Sequence, residues 1–252
     1  MRMTAASRGG GGGGAFSPAD IANLFWRLDA TTITGLANAA VVTQWSDTGG
    51  GARHATQATA AMQPTYRTAG LNGLPSVRFD GGDFLSPATF DLTATAAITI
   101  FAVASASTGG AHELILSTGS AWISDIGGFV IQRWNDNAVN VGANGNVGAS
   151  RWASAATLTT TPKVISAVLD FGQGGATEAQ GWVDGTLSGA SATATDNTGT
   201  FQNAIPRVGA YDAAGSFGLI GDIGEMLFYA RALTTVERQQ VETYLKTKWG
   251  TA

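Results

Sequence analysis

The chain has no cysteine, so no disulfide staples it. Domains built for oxidising compartments usually carry some, although their absence does not fix the compartment. Charged residues make up 13% of the 252, about half the usual ~25%, which argues against long solvated helices. The balance is acidic, with a net charge of −4 and a pI near 5.0. That is the wrong sign for a nucleic-acid binder, which presents basic stripes. There are two histidines, His54 and His112. His112-Glu113 begins like the zinc-protease pattern H-E-x-x-H, but Leu116 stands where the second histidine belongs, so no zinc site is expected. No G-x-S-x-G nucleophile elbow and no Gly-Lys pair of a P-loop occurs. The longest apolar run, around "AAITIFAVA", falls far short of the ~20 residues of a membrane span, so no membrane insertion is expected. There is no N-x-[ST] sequon, and the opening "MRMTAASRGGGGGG" lacks the apolar stretch of a signal peptide. The expectation is a chain made in a cytoplasm and not passed through a eukaryotic secretory route.

What is abundant is glycine. The 35 glycines are nearly double the usual ~7% and suit many turns between short strands. "FWRLDA" reads as a strand with Trp26 and Leu28 on one face, and "VVTQWSDTGGG" as a strand ending in a turn. From there to Leu85 the chain reads mostly as loop, with Asn72-Gly73 and Asp80-Gly81 as turns around a short extended run. "AITIFAVAS" (97–105), "HELILST" (112–118), "GFVIQRW" (128–134), "KVISAVLDF" (163–171), "GWVDG" (181–185) and "GEMLFYA" (224–230) are strand-like in length and residue type. Asp184-Gly185 is a hairpin signal. No βα alternation appears, which predicts a sandwich or jelly roll. Ser17-Pro18 reads as the cap and first residue of a short helix. In "LTTVERQQVETYLKTKWG", Thr234 and Glu237 form a capping box, and Val241, Tyr244, Leu245 and Trp249 share one face. Gly250 ends that helix, which should close over the sandwich.

"FWRLDA", "WSDTGGG", "LNGLPSVRFDGGDFL", "ITIFAVA", "WVDG" and above all "GDIGEMLFYARALTTVERQQVETYLKTKWG" resemble, in this order, the concanavalin-A-like, laminin-G-like jelly-roll domains of bacterial and phage surface proteins. The likeness runs from about Ser17 to Gly250. It implies an all-β, two-sheet antiparallel jelly-roll sandwich over 16–252 and, usually, glycan binding or adhesion. Single-domain versions without a signal peptide are common among phage virion proteins. The resemblance therefore implies a non-enzymatic virion structural protein, a capsid decoration or tail-associated jelly roll on the virion surface, multimeric in its assembly and meeting a host surface glycan. The alternatives are a stand-alone carbohydrate-binding module or bacterial adhesin and, less favoured, a glycoside hydrolase. Sugar-cleaving relatives of the fold carry a pattern similar to E-x-D-x-x-E on one strand, where two carboxylates serve as nucleophile and acid. Here the first position is Ile220, followed by Asp222 and Glu225, so the nucleophile is missing.

Residues 1–15 read as a tail. Gly9, Gly10, Gly11, Gly12, Gly13 and Gly14 bury nothing and form a linker. Lacking Cβ atoms, they could press into a groove or add to a sheet edge, with Arg2 and Arg8 pairing with acidic groups, to dock the domain on a capsid or tail subunit. "QRWNDNAVNVGANGNVGASRW" (132–152) is the leading ligand-binding candidate. Trp134 can stack on the apolar C–H face of a sugar, while Asn135, Asp136, Asn137, Asn144 and Asn146 can hydrogen-bond its hydroxyls. The competing reading is a hairpin with polar turns whose tryptophans pack inside. Tyr211 and Asp212, on a Gly-rich loop, are a second candidate pair. No cofactor is expected. Asp80, Asp83 and Asn72 could ligate calcium, but they do not amount to a full ligand set.

Overall fold

The computed structural model describes residues 16–107, 112–118, 125–187 and 189–251. The tail readings at Arg2, Arg8 and Gly9 to Gly14 lie outside the described residues. In chain order the strands are β1 (Leu24–Asp29), β2 (Gln44–Trp45), β3 (Ala55–Thr56), β4 (Thr65–Leu71), β5 (Leu74–Asp80), β6 (Ala97–Ala106), β7 (Glu113–Ser117) and β8 (Gly128–Arg133). They continue with β9 (Ala138–Asn144), β10 (Ala149–Thr157), β11 (Lys163–Asp170), β12 (Ala179–Val183), β13 (Gly189–Thr193), β14 (Arg207–Val208) and β15 (Ile220–Tyr229). An α-helix, α1 (Thr235–Trp249), follows.

Among the described residues β2 and β3 pair with each other, and the remaining strands form two antiparallel sheets. One runs β12-β11-β6-β15-β5-β4, with β1 also paired to β15; the other runs β13-β10-β9-β8-β7-β14. Their inner faces meet through aromatic side chains. Phe129 of β8 lies 5.6 Å from Phe228 of β15, and Phe90 packs edge-on against Trp26 and Phe228. Trp26, Leu28, Trp45, Phe101 and Phe228 are fully buried. β15 takes β5 along its first half and β1 along its second, on the edge away from β6.

The strands of β6 and β15 are buried on both faces because α1 lies across the outer face of their sheet. The helix begins with the expected capping box and ends at Gly250 in the left-handed region, φ 61°. Val241, Leu245 and Trp249 are buried as the pattern predicts, while Tyr244 is half-buried and accepts a hydrogen bond from Arg27 Nη2 at 2.7 Å. Beneath the last turn sits an ionic clamp. Glu225, fully buried, accepts from Arg27 Nε (2.8 Å), Lys248 Nζ (2.8 Å) and Trp249 Nε1 (2.9 Å). Asp29 accepts from Arg27 and Lys248. Burial alone would lower the pKa of both cations, but Glu225 and Asp29, joined at Arg27 by Tyr244, outweigh it and raise both. A second buried link joins Ser166 of β11 to Glu242, which also holds Arg238.

Several expectations are corrected. The N-terminal helix is one 3-10 turn, Pro18–Asp20, capped by Ser17. The strand expected from "VVTQW" shrinks to the two-residue β2. The stretch expected as loop holds the β4–β5 hairpin, whose turn Asn72-Gly73 has both φ positive, 48° and 83°. β4 escapes its alternation because a register break between Arg67 and Leu71 leaves only Tyr66 and Leu71 buried. The Asp184-Gly185 turn forms, but its flanking strands belong to opposite sheets.

Candidate functional site

The outer face of the six-stranded sheet carries the candidate site. Along it, side chains fall in rows set by register. Leu114, Gln132 and Asn140 lie in one row, and Ser117, Val130, Gly142 and Arg151 in the next. β8 and β9 are joined by the turn Trp134 to Asn137. Asn137 N donates to Trp134 O at 2.8 Å, and Trp134 N to Ala138 O at 2.9 Å. Asn137 takes φ 67°, which a short polar side chain tolerates. Asp136 accepts from Ala138 N at 3.0 Å and so fixes the turn. The turn is built to project Trp134, which is 37% exposed.

Trp134 does not stand alone. Its ring lies 4.3 Å from His112, which lies 5.1 Å from Phe217, which in turn lies 5.7 Å edge-on from Tyr211. His112 Nε2 also meets Gln132 Oε1 at 2.6 Å, which fixes the imidazole between the two larger rings. Phe217 is 52% exposed. Tyr211 packs over Leu114 and Val130, two buried residues of the outer face. The result is a row of four rings across the rim of the sheet, two of them open to solvent. Single exposed aromatics need no explanation, whereas a contiguous row does.

The loop bearing Tyr211 and Phe217 is held from several directions. Tyr211 N donates to Ser216 O at 2.9 Å, and Ser117 Oγ donates to the carbonyls of Ala210 and Tyr211. Asp212 accepts from the amides of Ala214 and Ser216, at 2.9 and 3.1 Å. Burial pushes the Asp212 carboxyl up, but those amides, the Ser216 hydroxyl and Arg207 outweigh it and leave its pKa below the usual value. Underneath, backbone meets backbone. A Cβ on Gly218 would lie 2.3 Å from the Gly81 carbonyl oxygen, and one on Gly215 2.5 Å from that of Gly82. The turn "DGGDF" is therefore the seat of this loop. Asp83 caps the same turn by accepting from Asp80 N. Burial and then the neighbouring Asp80 carboxylate raise Asp83 to about 6.

The structure divides the sequence candidates. Trp134 and Tyr211 come together, bridged by His112 and Phe217. In the sequence His112 points only toward zinc, and Phe217 carries no signal of its own. Asn135 and Asp136 are exposed beside Trp134. Asn144 and Asn146 do not join them, since they sit at the far end of β9, roughly 20 Å away at ~3.3 Å per residue. Asn144 is buried at 3% exposure. Asn146 exchanges hydrogen bonds with Thr198, at 3.0 and 2.7 Å, and pins a turn. Trp152 is buried at 2%, as the competing hairpin reading holds. Asn72 lies at the other end of β5 from Asp80 and Asp83 and donates to the carbonyls of Trp249 and Gly250, so this calcium trio does not assemble. Among the described residues no three His, Cys, Asp or Glu side chains gather to hold a metal.

The hydrolase-like positions serve the fold. Ile220 is 42% exposed. Asp222 accepts from Arg78 (2.6 Å) and Ser76 (2.7 Å), and Glu225 belongs to the clamp under α1.

No protein-family model and no curated protein matches the chain. Solved structures do. The chain is similar to a Trypanosoma rangeli sialidase in complex with sialic acid (TM-score 0.60, 13% identity, 93% of this chain and 35% of that one). It is also similar to the binding domain of Paraclostridial Mosquitocidal Protein 1 (TM-score 0.63, 11% identity, 91% and 53%). A third likeness is to the receptor binding domain of botulinum neurotoxin D (TM-score 0.61, 9% identity, 90% and 54%). The chain thus spans about a third to a half of these structures. At such identities the shared property is the fold, a two-sheet antiparallel β-sandwich.

Proposed function

We propose that this domain binds carbohydrate without cleaving it, through the row Trp134–His112–Phe217–Tyr211. The observation that carries the reading is the row itself. Trp134 and Phe217 are the exposed rings of the row, and the amide of Asn135 and the carboxylate of Asp136 lie exposed alongside Trp134. A pyranose has an apolar C–H face for such a ring and hydroxyls for such polar groups. Non-catalytic binding is supported by Ile220 at the nucleophile position and by the structural employment of Asp222 and Glu225. Neighbours of the same fold include a sialidase crystallised with sialic acid and toxin domains named for binding, which is compatible with this class. Display on a phage particle, with residues 1–15 as the anchoring arm, rests on the sequence resemblance and the tail composition alone.

The test is a glycan array followed by calorimetry on the best ligand. Trp134→Ala should weaken binding at least tenfold, about 1.4 kcal/mol, with the melting temperature preserved. Equal binding by the variant removes the row as the site.

A further inference from the structure

Away from the aromatic row, on the seven-stranded sheet, we infer a second site, one for a tetrahedral oxyanion such as a sulfate or phosphate group. It lies between β1 and the loop Gly49-Gly50-Gly51. A cavity of about 410 Å³ opens there, and Asn23, Phe25, Gly50, Gly51 and Arg53 are among its walls.

Its centre is an arginine held still. β1 carries an extra residue in its ladder with β15. Leu24 pairs with Tyr229 and Trp26 with Phe228, so Phe25 is one residue too many for the register. The Phe25 carbonyl accepts from Arg53 Nη1 at 3.1 Å, and the guanidinium carbon sits 3.7 Å from the centre of the Phe25 ring. The main chain of Arg53 is fixed as well. Its amide donates to Asp47 Oδ2 at 2.9 Å, and its carbonyl accepts from Trp26 Nε1 at 2.7 Å. Gly51 permits this pose, since a Cβ there would collide with Arg53 Nη1.

With Nη1 spent on Phe25, the Nε–Nη2 edge of the guanidinium remains. Among the described residues neither nitrogen meets an acceptor, and Arg53 forms no ion pair. That edge is the fork that grips two oxygens of one anion. The backbone amides of Gly50 and Gly51 and the side chain of Asn23 also donate to nothing among the described residues, and all three residues are exposed. Free loop amides beside a cation make an anion-binding concavity. The loop's own carboxylate, Asp47, is already committed to the amides of Arg27, Gly49 and Arg53. A planar carboxylate would fill the fork and leave the loop amides unused, whereas a tetrahedral group has oxygens for both.

The test is a titration of the whole chain with sodium sulfate and sodium phosphate, replacing chloride at constant ionic strength, followed by ¹⁵N NMR and calorimetry. The Gly50 and Gly51 amides and Arg53 Nε–H should shift saturably in the wild type. Arg53→Gln and Arg53→Lys should weaken binding at least tenfold, with melting temperatures in chloride showing that both are folded. Gly51→Ala keeps the charge but displaces the guanidinium, and should weaken binding similarly. Glucose 6-sulfate and glucose 6-phosphate, each against glucose, separate the sources. Tighter binding of the esters than of the inorganic ions assigns the site to a substituted sugar, and equal binding assigns it to the free ion; both uphold it. Wild-type shifts that fail to saturate or that chloride reproduces overturn the site, as does full binding by Arg53→Gln. Glycan binding through Trp134 should be unchanged in Arg53→Gln, so the two sites stand or fall separately.

Discussion

Replacing Glu225 by glutamine separates a structural clamp from a catalytic carboxylate. Glu225 is fully buried and receives three donors, from Arg27, Lys248 and Trp249. Glutamine keeps one acceptor oxygen but turns an NH₂ group toward N–H donors in either orientation. Arg27 and Lys248 also lose half of their compensating charge, with only Asp29 left between them. Removing one partner of a buried ion pair costs about 3–5 kcal/mol. Because the Arg27 and Lys248 side chains keep 14% and 20% of their exposure, the lower end of that range applies. The expected loss is about 3 kcal/mol, well above the ~1 kcal/mol of a single neutral hydrogen bond. Equilibrium urea unfolding, followed by circular dichroism and tryptophan fluorescence, reads it directly. Trp249→Phe, which removes only the indole donor, should cost less than Glu225→Gln. A loss below about 1 kcal/mol for Glu225→Gln would refute the clamp. Unchanged stability together with a lost hydrolytic activity would return Glu225 to the catalytic reading.

Three further outcomes are expected. Asp83 has its folded pKa raised to about 6 by burial and Asp80, so its contribution to stability is full below about pH 4 and lost as the pH rises through about 6; Asp83→Asn should flatten that decline in urea midpoints. Gly218→Ala drives a Cβ into the Gly81 carbonyl, so it should displace the loop bearing Tyr211 and Phe217, cost about 1–3 kcal/mol, and weaken glycan binding far more than a distant substitution of equal cost. Incubation with β-glucans and sialylated glycans should release no more reducing ends or free sialic acid than a buffer blank, and a release abolished by Glu225→Gln would contradict non-catalytic binding.

The elements legible in the sequence were those with long apolar runs or complete end signals. β6 and β11 are dense in β-branched and aromatic residues, and α1 carries its capping box, apolar face and terminal glycine together. β9, β10 and β13 are written largely in glycine, alanine, serine and asparagine, whose weak β preference hides strands that exist because their neighbours pair with them. The site was legible one residue at a time. Trp134 and Tyr211 each stood out as loop aromatics, but nothing local says that the loop after β14 folds back over β7. That contact depends on backbone-to-backbone seating of Gly215 and Gly218 on Gly81 and Gly82, a long-range event without a sequence period. Asn144 and Asn146 were drawn in by proximity along the chain, where a strand of seven residues carried them to the other end of the sheet.

The position of β15 sets when this domain can be completed during synthesis. It pairs with β1, β5 and β6, so the hydrogen-bonding edges of strands made from residue 24 onward stay open until residues 220–229 emerge. Such sequence-distant pairing carries a large loop-closure cost and makes for slow folding. A ribosome stalled before residue 220 would hold six strands of that sheet without the strand that joins them, with Trp26, Phe101 and Val77 uncovered and edges free to pair with other nascent chains. The domain should therefore acquire protease resistance in one late step, and its yield in a foreign host should depend on chaperones that shield nascent chains rather than on the stability of the finished fold.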